Sequence, residues 1–545
     1  MTVRPDARAN ATFVESRRNS PGRGTTWSKT TVVAVLALAA YAMLAAYVYR
    51  PDSARPFDMV DFSEFLSILQ SHDSLASRFV GLTDYYRQQG RLNPIVHLFI
   101  AVKWSLFGND TTAWQLVRAA QMVGLTAMTI ALLRRLRLGL AGAVIGGGLM
   151  VVSAPAANAC VRLTMAEPLA TAMLMAATLI GTYYQGARRW RRLEWWIVTL
   201  AALTILAKEM LVAAVPLVLL VAWCVGPDGR FQRPGMSRRN KELFAVTAVV
   251  STLILIPVGV VAMRAPAGAY VSAYGSVGAG PLDLLRIELL TLIPFVPLDN
   301  PMPPGLVAAE LCYFGLIALG LKLYSLTGES RWHVRAIIGI GFGLPLLGAM
   351  VYVPWSVYQW FYSVPFLLGP SILLAAAVKG VEEMAPRWRL LAYVASACVL
   401  ANMASASSHF ARRAEASQFL IDAAADAVTN VTGIDSVLVG AREIPAQAWQ
   451  GFGQTFARYA KATGREFPPT TDVSCADAAR RIRGPMERRA VVLFSNHCPL
   501  NGSPTRVISR SFSWLDWGWM ASRHDSITVG VFTSLSSLTS GHPHR

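Results

Sequence analysis

Three carboxylates, Asp58, Asp61 and Glu64, recur at every third residue just after the first long apolar run. On a helix that spacing places them on one face, and a carboxylate aimed at solvent can take the proton of an attacking hydroxyl. Two of them also fit a local role. Asp61-Phe62-Ser63-Glu64 matches an N-cap followed by an N3 glutamate, with Val60 and Phe65 as the accompanying hydrophobic staple. Asp58 lies ahead of that cap, in an extended entry, and capping does not account for it. A fourth acid, Glu167, precedes Pro168 at the head of an apolar run. It either starts a helix, where the dipole favours it, or faces a wet cavity or a partner at the end of a membrane span.

The elements that must position these residues are apolar. The chain has 545 residues, is 54% hydrophobic and 15% charged, and has a mean hydropathy of +0.40. It repeats runs of about 20 apolar residues, the length that crosses a bilayer core. The net charge of +18 lies in short clusters between those runs, such as 134–137, 188–192, 230–241, 322–335 and 379–389. Basic links between spans mark the cytoplasmic side, so the charge reports topology and not a nucleic-acid partner. The run 31–48 lacks a small-residue cleavage site before Arg50 and is expected to stay as a first span.

With the basic clusters inside, about eleven spans follow, near 31–49, 112–133, 139–157, 166–186, 194–209, 211–226, 243–263, 304–323, 336–353, 362–378 and 390–406. The run 94–107 is too short to cross, and a crossing there would invert every later basic cluster. It is expected to lie in the interface. The first outer loop then carries two membrane-hugging helices, about 61–71 and 94–107, joined by a polar link. His97 is expected to be a packing residue at headgroup level, and Gly146-Gly147-Gly148 a site of close helix packing. A second outer loop runs 264–303, and Trp355, Tyr358 and Trp360 form a short aromatic turn.

Three parts are expected: a cytoplasmic basic tail, 1–30, a transmembrane domain, 31–406, and an extracytoplasmic domain, 407–545. The last shows helical patterns at 411–428 and 446–463 and β-type runs at 436–439, 490–494, 506–512 and 526–532, an α/β pattern. Its Cys475 and Cys498 are compatible with a disulfide outside the cytoplasm. The fold class is therefore an all-α polytopic membrane protein with a small C-terminal α/β domain.

One set of motifs resembles a known group. It comprises an acid soon after the first span, Phe62-Ser63-Glu64, Gly90-Arg91-Leu92-Asn93-Pro94, Leu106-Phe107-Gly108-Asn109, Trp114 with Arg118, Glu167-Pro168, Ala207-Lys208-Glu209-Met210, and Tyr362 with Pro365. Together they resemble the protein O-mannosyltransferase and aminoarabinose transferase group, GT-C-fold glycosyltransferases that use lipid-linked sugars. The likeness covers about 51–375. It departs at Met59, where the group commonly has the second acid of an Asp-Glu pair, and at Leu92-Asn93-Pro94, where it often has Lys-Pro-Pro.

The resemblance implies a donor sugar on a polyprenyl phosphate, in the inner or plasma membrane, and an acceptor glycan, lipid or protein at the outer face. By carry-over, Asp58 would be the base of an inverting displacement, with Asp61 or Glu64 supplying any second carboxylate. Outer cations would stabilise the leaving phosphate, and Arg91, Arg162, Lys208, Arg264 and Arg286 are the candidates. Lys208 and Glu209 are adjacent and cannot share a face, so one can pair with a neighbouring helix. Tyr362 joins the substrate-binding set through its motif. No metal requirement follows, although Asp58 and Glu167 would offer oxygen ligands to Mg²⁺ or Mn²⁺. The rival readings are a transporter or flippase for lipid-linked saccharides and a catalytically silent scaffold of the same fold. A transporter would be expected to show repeated halves and charges near midplane, whereas here the polar residues crowd into one early loop.

Overall fold

The computed structural model describes residues 29–48, 65, 68–108, 110–161, 163–183, 191–212, 214–232, 238–264, 304–352, 360–405, 407, 435–440, 470–483, 489–494, 504, 506–516 and 521–533. Among the described residues, fourteen α-helices of eight residues or more form the apolar part. They are α1 (Lys29–Val48), α2 (Leu75–Gln88), α3 (Pro94–Phe107), α4 (Thr111–Arg135), α5 (Leu140–Val152), α6 (Ala154–Val161), α7 (Glu167–Tyr183) and α8 (Arg191–Ala207). The series continues with α9 (Ala214–Trp223), α10 (Arg238–Arg264), α11 (Pro304–Tyr324), α12 (Arg331–Tyr352), α13 (Leu368–Met384) and α14 (389–405). Described helices overlap each of the eleven apolar runs read from the sequence. Among the described residues, four are long and apolar enough to cross a membrane by themselves, within Thr112–Arg135, Asn240–Val261, Arg331–Met350 and Ser363–Met384. The chain is an integral membrane protein.

α13 is the axis of the bundle. Every residue from Leu368 to Val381 is buried, and α5, α11 and α12 pack around it. The approach to α5 depends on missing side chains: a Cβ at Gly142 would meet the Ala375 carbonyl at 2.5 Å, and one at Gly146 the Ser371 carbonyl at 2.5 Å. The glycine run of α5 is thus a packing surface, as small residues are between membrane helices.

Between the two interfacial runs, where the sequence suggests a polar link, there is a helix. α2 starts at a capping box between Ser74 and Ser77 and turns Leu75, Phe79, Leu82 and Tyr86 to one side, with Leu82 fully buried. Its polar remainder hides that stripe from a hydropathy reading, but a capped start and an apolar i, i+4, i+7 face suffice for a helix that packs against α3. α3 itself occupies Pro94–Phe107, with proline in its first turn and Gly108 at φ +52° just past its end.

The C-terminal part contains a five-stranded sheet, β1 (Ser436–Gly440), β2 (Thr470–Val473), β3 (Arg489–Phe494), β4 (Arg506–Asp516) and β5 (Ala521–Thr533), in the order β2-β1-β3-β5-β4. β1 runs parallel to β2 and β3, while β5 is antiparallel to β3 and β4. A fifteenth helix, α15 (Cys475–Arg483), packs Ala478 over Val491 and Phe532. The helical patterns at 411–428 and 446–463 lie outside the described residues. Cys475 is disulfide-bonded, whereas Cys160, Cys224, Cys312 and Cys398 are free. Cys498 lies outside the described residues.

Candidate functional site

One end of the bundle gathers buried charge. Glu167 is the first residue of α7 and is fully buried. Lys208 follows the last residue of α8 and is 4% exposed. Because α7 and α8 pack along each other, Lys208 Nζ comes to 2.7 Å from Glu167 Oε1, an ion pair at an angle outside hydrogen-bond geometry. Glu167 Oε2 has no hydrogen-bond partner among the described residues. Burying an ion pair is costly unless its remaining polar atoms are satisfied, and Glu167 is a buried carboxylate short of hydrogen bonds among the described residues.

The next residue turns the other way. Glu209 opens a 3-10 turn, Glu209–Val212, and its Oε1 stands 4.0 Å from Arg91 Nε, both side chains keeping 15% exposure. Adjacent residues on different faces therefore find different partners, Lys208 in α7 and Glu209 in the α2–α3 link. His97 of α3 lies beside this second pair. It is 1% exposed, tilts against Tyr86 at 4.8 Å and has Thr83 Oγ1 at 3.2 Å from Nδ1. Burial lowers its pKa to about 4, Glu209 opposing the shift and Arg91 adding to it. His97 is neutral at neutral pH and is a packing residue, as the sequence suggests.

Two further cations converge below Glu167. Lys103 Nζ donates to the Leu163 carbonyl at 2.8 Å, and Arg118 donates to the carbonyls of Leu163 at 2.9 Å and Met165 at 3.1 Å. They clamp the turn that leads into α7. Lys103 also sits over the rings of Trp114, at 4.1 Å, and Phe99, at 4.8 Å. Burial, with Arg118 nearby, pushes the Lys103 ammonium well below the usual lysine range. In the sequence, a lone lysine in an otherwise apolar interfacial helix was the available signal.

The remaining candidates are placed less fully. Asp58, Asp61, Glu64 and Arg162 lie outside the described residues, as do Arg286 and the loop 265–303. Arg264 is the last residue of α10 and is exposed. The backbone of Tyr362 runs in a 3-10 turn, Trp360–Phe366, that packs on α6 and α7 and so reaches the Glu167 end. Among the described residues no group of three or more His, Cys, Asp or Glu is placed to hold a metal. Glu167, the described half of the carboxylate pair suggested for a divalent ion, already faces the Lys208 ammonium, and the two cations would compete for it.

No protein-family model and no curated protein matches the sequence. Solved structures do. ArnT from Cupriavidus metallidurans in the apo state superposes at a TM-score of 0.50 with 12% identity, over 92% of this chain and 98% of ArnT. The fold is GT-C-like. At 12% identity the likeness to ArnT is one of fold. ArnT bound to undecaprenyl phosphate gives a TM-score of 0.47 at 13% identity over the same shares. The arabinofuranosyltransferase AftD from Mycobacteria gives 0.45 at 16% identity, over 86% of this chain but only 35% of AftD. The GT-C-like fold agrees with the resemblance carried by the sequence motifs.

Proposed function

We propose that this chain is a membrane glycosyltransferase that moves a sugar from a polyprenyl-phosphate carrier to an acceptor glycan, lipid or protein at the outer face. The observation that carries the reading is the gathering of Arg91, Glu167, Lys208 and Glu209 at one end of a GT-C-like bundle. Three segments far apart in sequence meet there, which neither a lone cap nor a packing surface needs. The disulfide at Cys475 supports an oxidising compartment for the C-terminal part, and with it an outer position for the end that precedes that part.

In the reaction, Asp58 takes the proton of the acceptor hydroxyl. The acceptor oxygen bonds to the anomeric carbon from the side opposite the phosphate, and the bond from that carbon to the phosphate oxygen breaks. The electron pair leaves on the polyprenyl phosphate, and the anomeric configuration inverts. Direct displacement of this kind needs one base and a stabilised leaving group. Arg91 is suited to the phosphate because its guanidinium stays partly open at the charged end, beside Glu209. Lys208 is committed to Glu167 and serves to hold that carboxylate in place.

The test is transfer from lipid-linked sugars in membranes containing the full-length protein. Neutralising Arg91 should raise the donor concentration needed for half-maximal rate at least tenfold. Movement of intact lipid-linked saccharide across the bilayer, without transfer, would favour the flippase reading instead.

A further inference from the structure

The opposite, basic end of the bundle holds a cavity of about 290 Å³ between α9 and α12. These two helices pack mainly on α7 and α13 respectively, and both line the space. The face of α12 turned to it is unusually small: Ala336, Gly339, Ile340, Gly343 and Leu344 recur at helical spacing, and a Cβ at Gly339 or Gly343 would meet nothing within 4 Å. Gly339 of α12 and Leu217 of α9 both line the cavity and are both exposed. The cavity therefore opens sideways, toward the position of the bilayer.

Its floor is closed. The hairpin Cys224–Gln232 lies across the basic end, held by the bridge between Val225 and Phe231. Arg135 donates to its Gly226 and Pro227 carbonyls. The Phe231 amide donates to His333 Nδ1 at 3.0 Å, and Trp332 Nε1 to the Gln232 carbonyl at 2.7 Å. Gly229, at φ +84°, lets the hairpin turn there. Glu329 secures the same corner by pairing with Arg230 and with buried Lys379.

The lining excludes water as the natural occupant. Only Thr178 and Thr182 bring hydroxyls to the walls, and both spend them on their own helix, donating to the carbonyls of Leu174 at 2.7 Å and Leu179 at 2.8 Å. A water in the cavity would find too few polar partners, whereas hydrocarbon suits such a space. One turn toward the basic end from Gly339, on the same face of α12, stands Arg335. It is exposed and has no ion pair among the described residues. A guanidinium at the mouth of an apolar crevice matches a phosphate headgroup with a chain below it.

We propose that this crevice seats one acyl chain of an anionic phospholipid from the leaflet at the basic end, with Arg335 holding its headgroup. The site is separate from the charged end and does not depend on the glycosyltransferase reading. The direct test is photolabelling of the wild-type full-length protein in nanodiscs with phosphatidylglycerol carrying a diazirine in its acyl chain. Adducts should concentrate in 217–225 and 336–344, and unlabelled phosphatidylglycerol should compete at least tenfold better than phosphatidylcholine. Native mass spectrometry adds a second reading: Gly339→Leu/Gly343→Leu should lose a retained phospholipid, and Arg335→Gln should lose the preference for the anionic one. Adducts spread evenly over exposed helix faces such as that of Leu253, or competition by polyprenyl phosphate alone, would overturn the proposal.

Discussion

Lys208 Nζ and Glu167 Oε1 lie 2.7 Å apart although 41 residues separate them in the chain, and neither side chain exceeds 6% exposure. An acid at the head of one helix and a base just past the end of the next have been brought together by helix packing.

Removing one member should therefore cost far more than removing both. Glu167→Gln leaves a buried ammonium and should destabilise the protein by roughly 3–5 kcal/mol, whereas Glu167→Gln combined with Lys208→Met should recover most of that loss. Unfolding of the purified variants in detergent measures it. Simple addition of the two single effects would mean that the residues do not interact.

Acid should weaken the packing of α3 before it reaches the carboxylates. His97 has its folded pKa lowered to about 4 from an ordinary 6.5, so between those values the unfolded chain binds the proton and the folded one does not. The stabilisation is fully present above about pH 6.5 and is lost as pH falls toward 4, by roughly 3 kcal/mol at most. His97→Gln should flatten the unfolding profile over that window. An unchanged slope would show that another group titrates there.

Truncation after residue 409 should leave an inserted membrane part. Ser407 Oγ donates to the Val152 carbonyl at 2.6 Å, which ties the end of α14 to α5 within the retained portion, and the sheet begins only at Ser436. The C-terminal domain would then be a separable acceptor platform. Thiol labelling of the unreduced intact protein should leave Cys475 unmodified. Loss of insertion on truncation would make the domain structural.

What the sequence made legible and what it hid divide by distance along the chain. The bounds of α3 coincide with those of the apolar run 94–107, and proline in its first turn and a positive-φ glycine past its end are local features that fix them. The strand runs at 436–439 and 490–494 were legible by alternation and composition, while β2, only Thr470–Val473, was too short to stand out. Glu167 and Lys208 were both legible as candidates, but not as partners. The clamp of Lys103 and Arg118 on Leu163 was hidden altogether, since the acceptor is a backbone carbonyl 60 and 45 residues away. No side-chain spacing encodes such a contact.

Topology should follow the charge rule. Cysteine labels at 134–137 and 188–192 should report from the cytoplasm, and labels at residue 84 and after 406 from the other side. An outside label at 188 would place Glu167 and the first loop on opposite faces and dissolve the proposed site.

The most direct measurement is the rate of sugar transfer from a polyprenyl-phosphate donor by Asp58→Asn and Asp61→Asn, each in membranes at wild-type protein level. Asparagine keeps the size and polarity of aspartate but not its basicity. Asp58→Asn should lower transfer by roughly 10²-fold or more, with donor binding retained. Asp61→Asn should cost about a kcal/mol of stability or less, since asparagine caps a helix nearly as well. Transfer at the wild-type rate by Asp58→Asn together with a dead Asp61→Asn would contradict the assignment of the base.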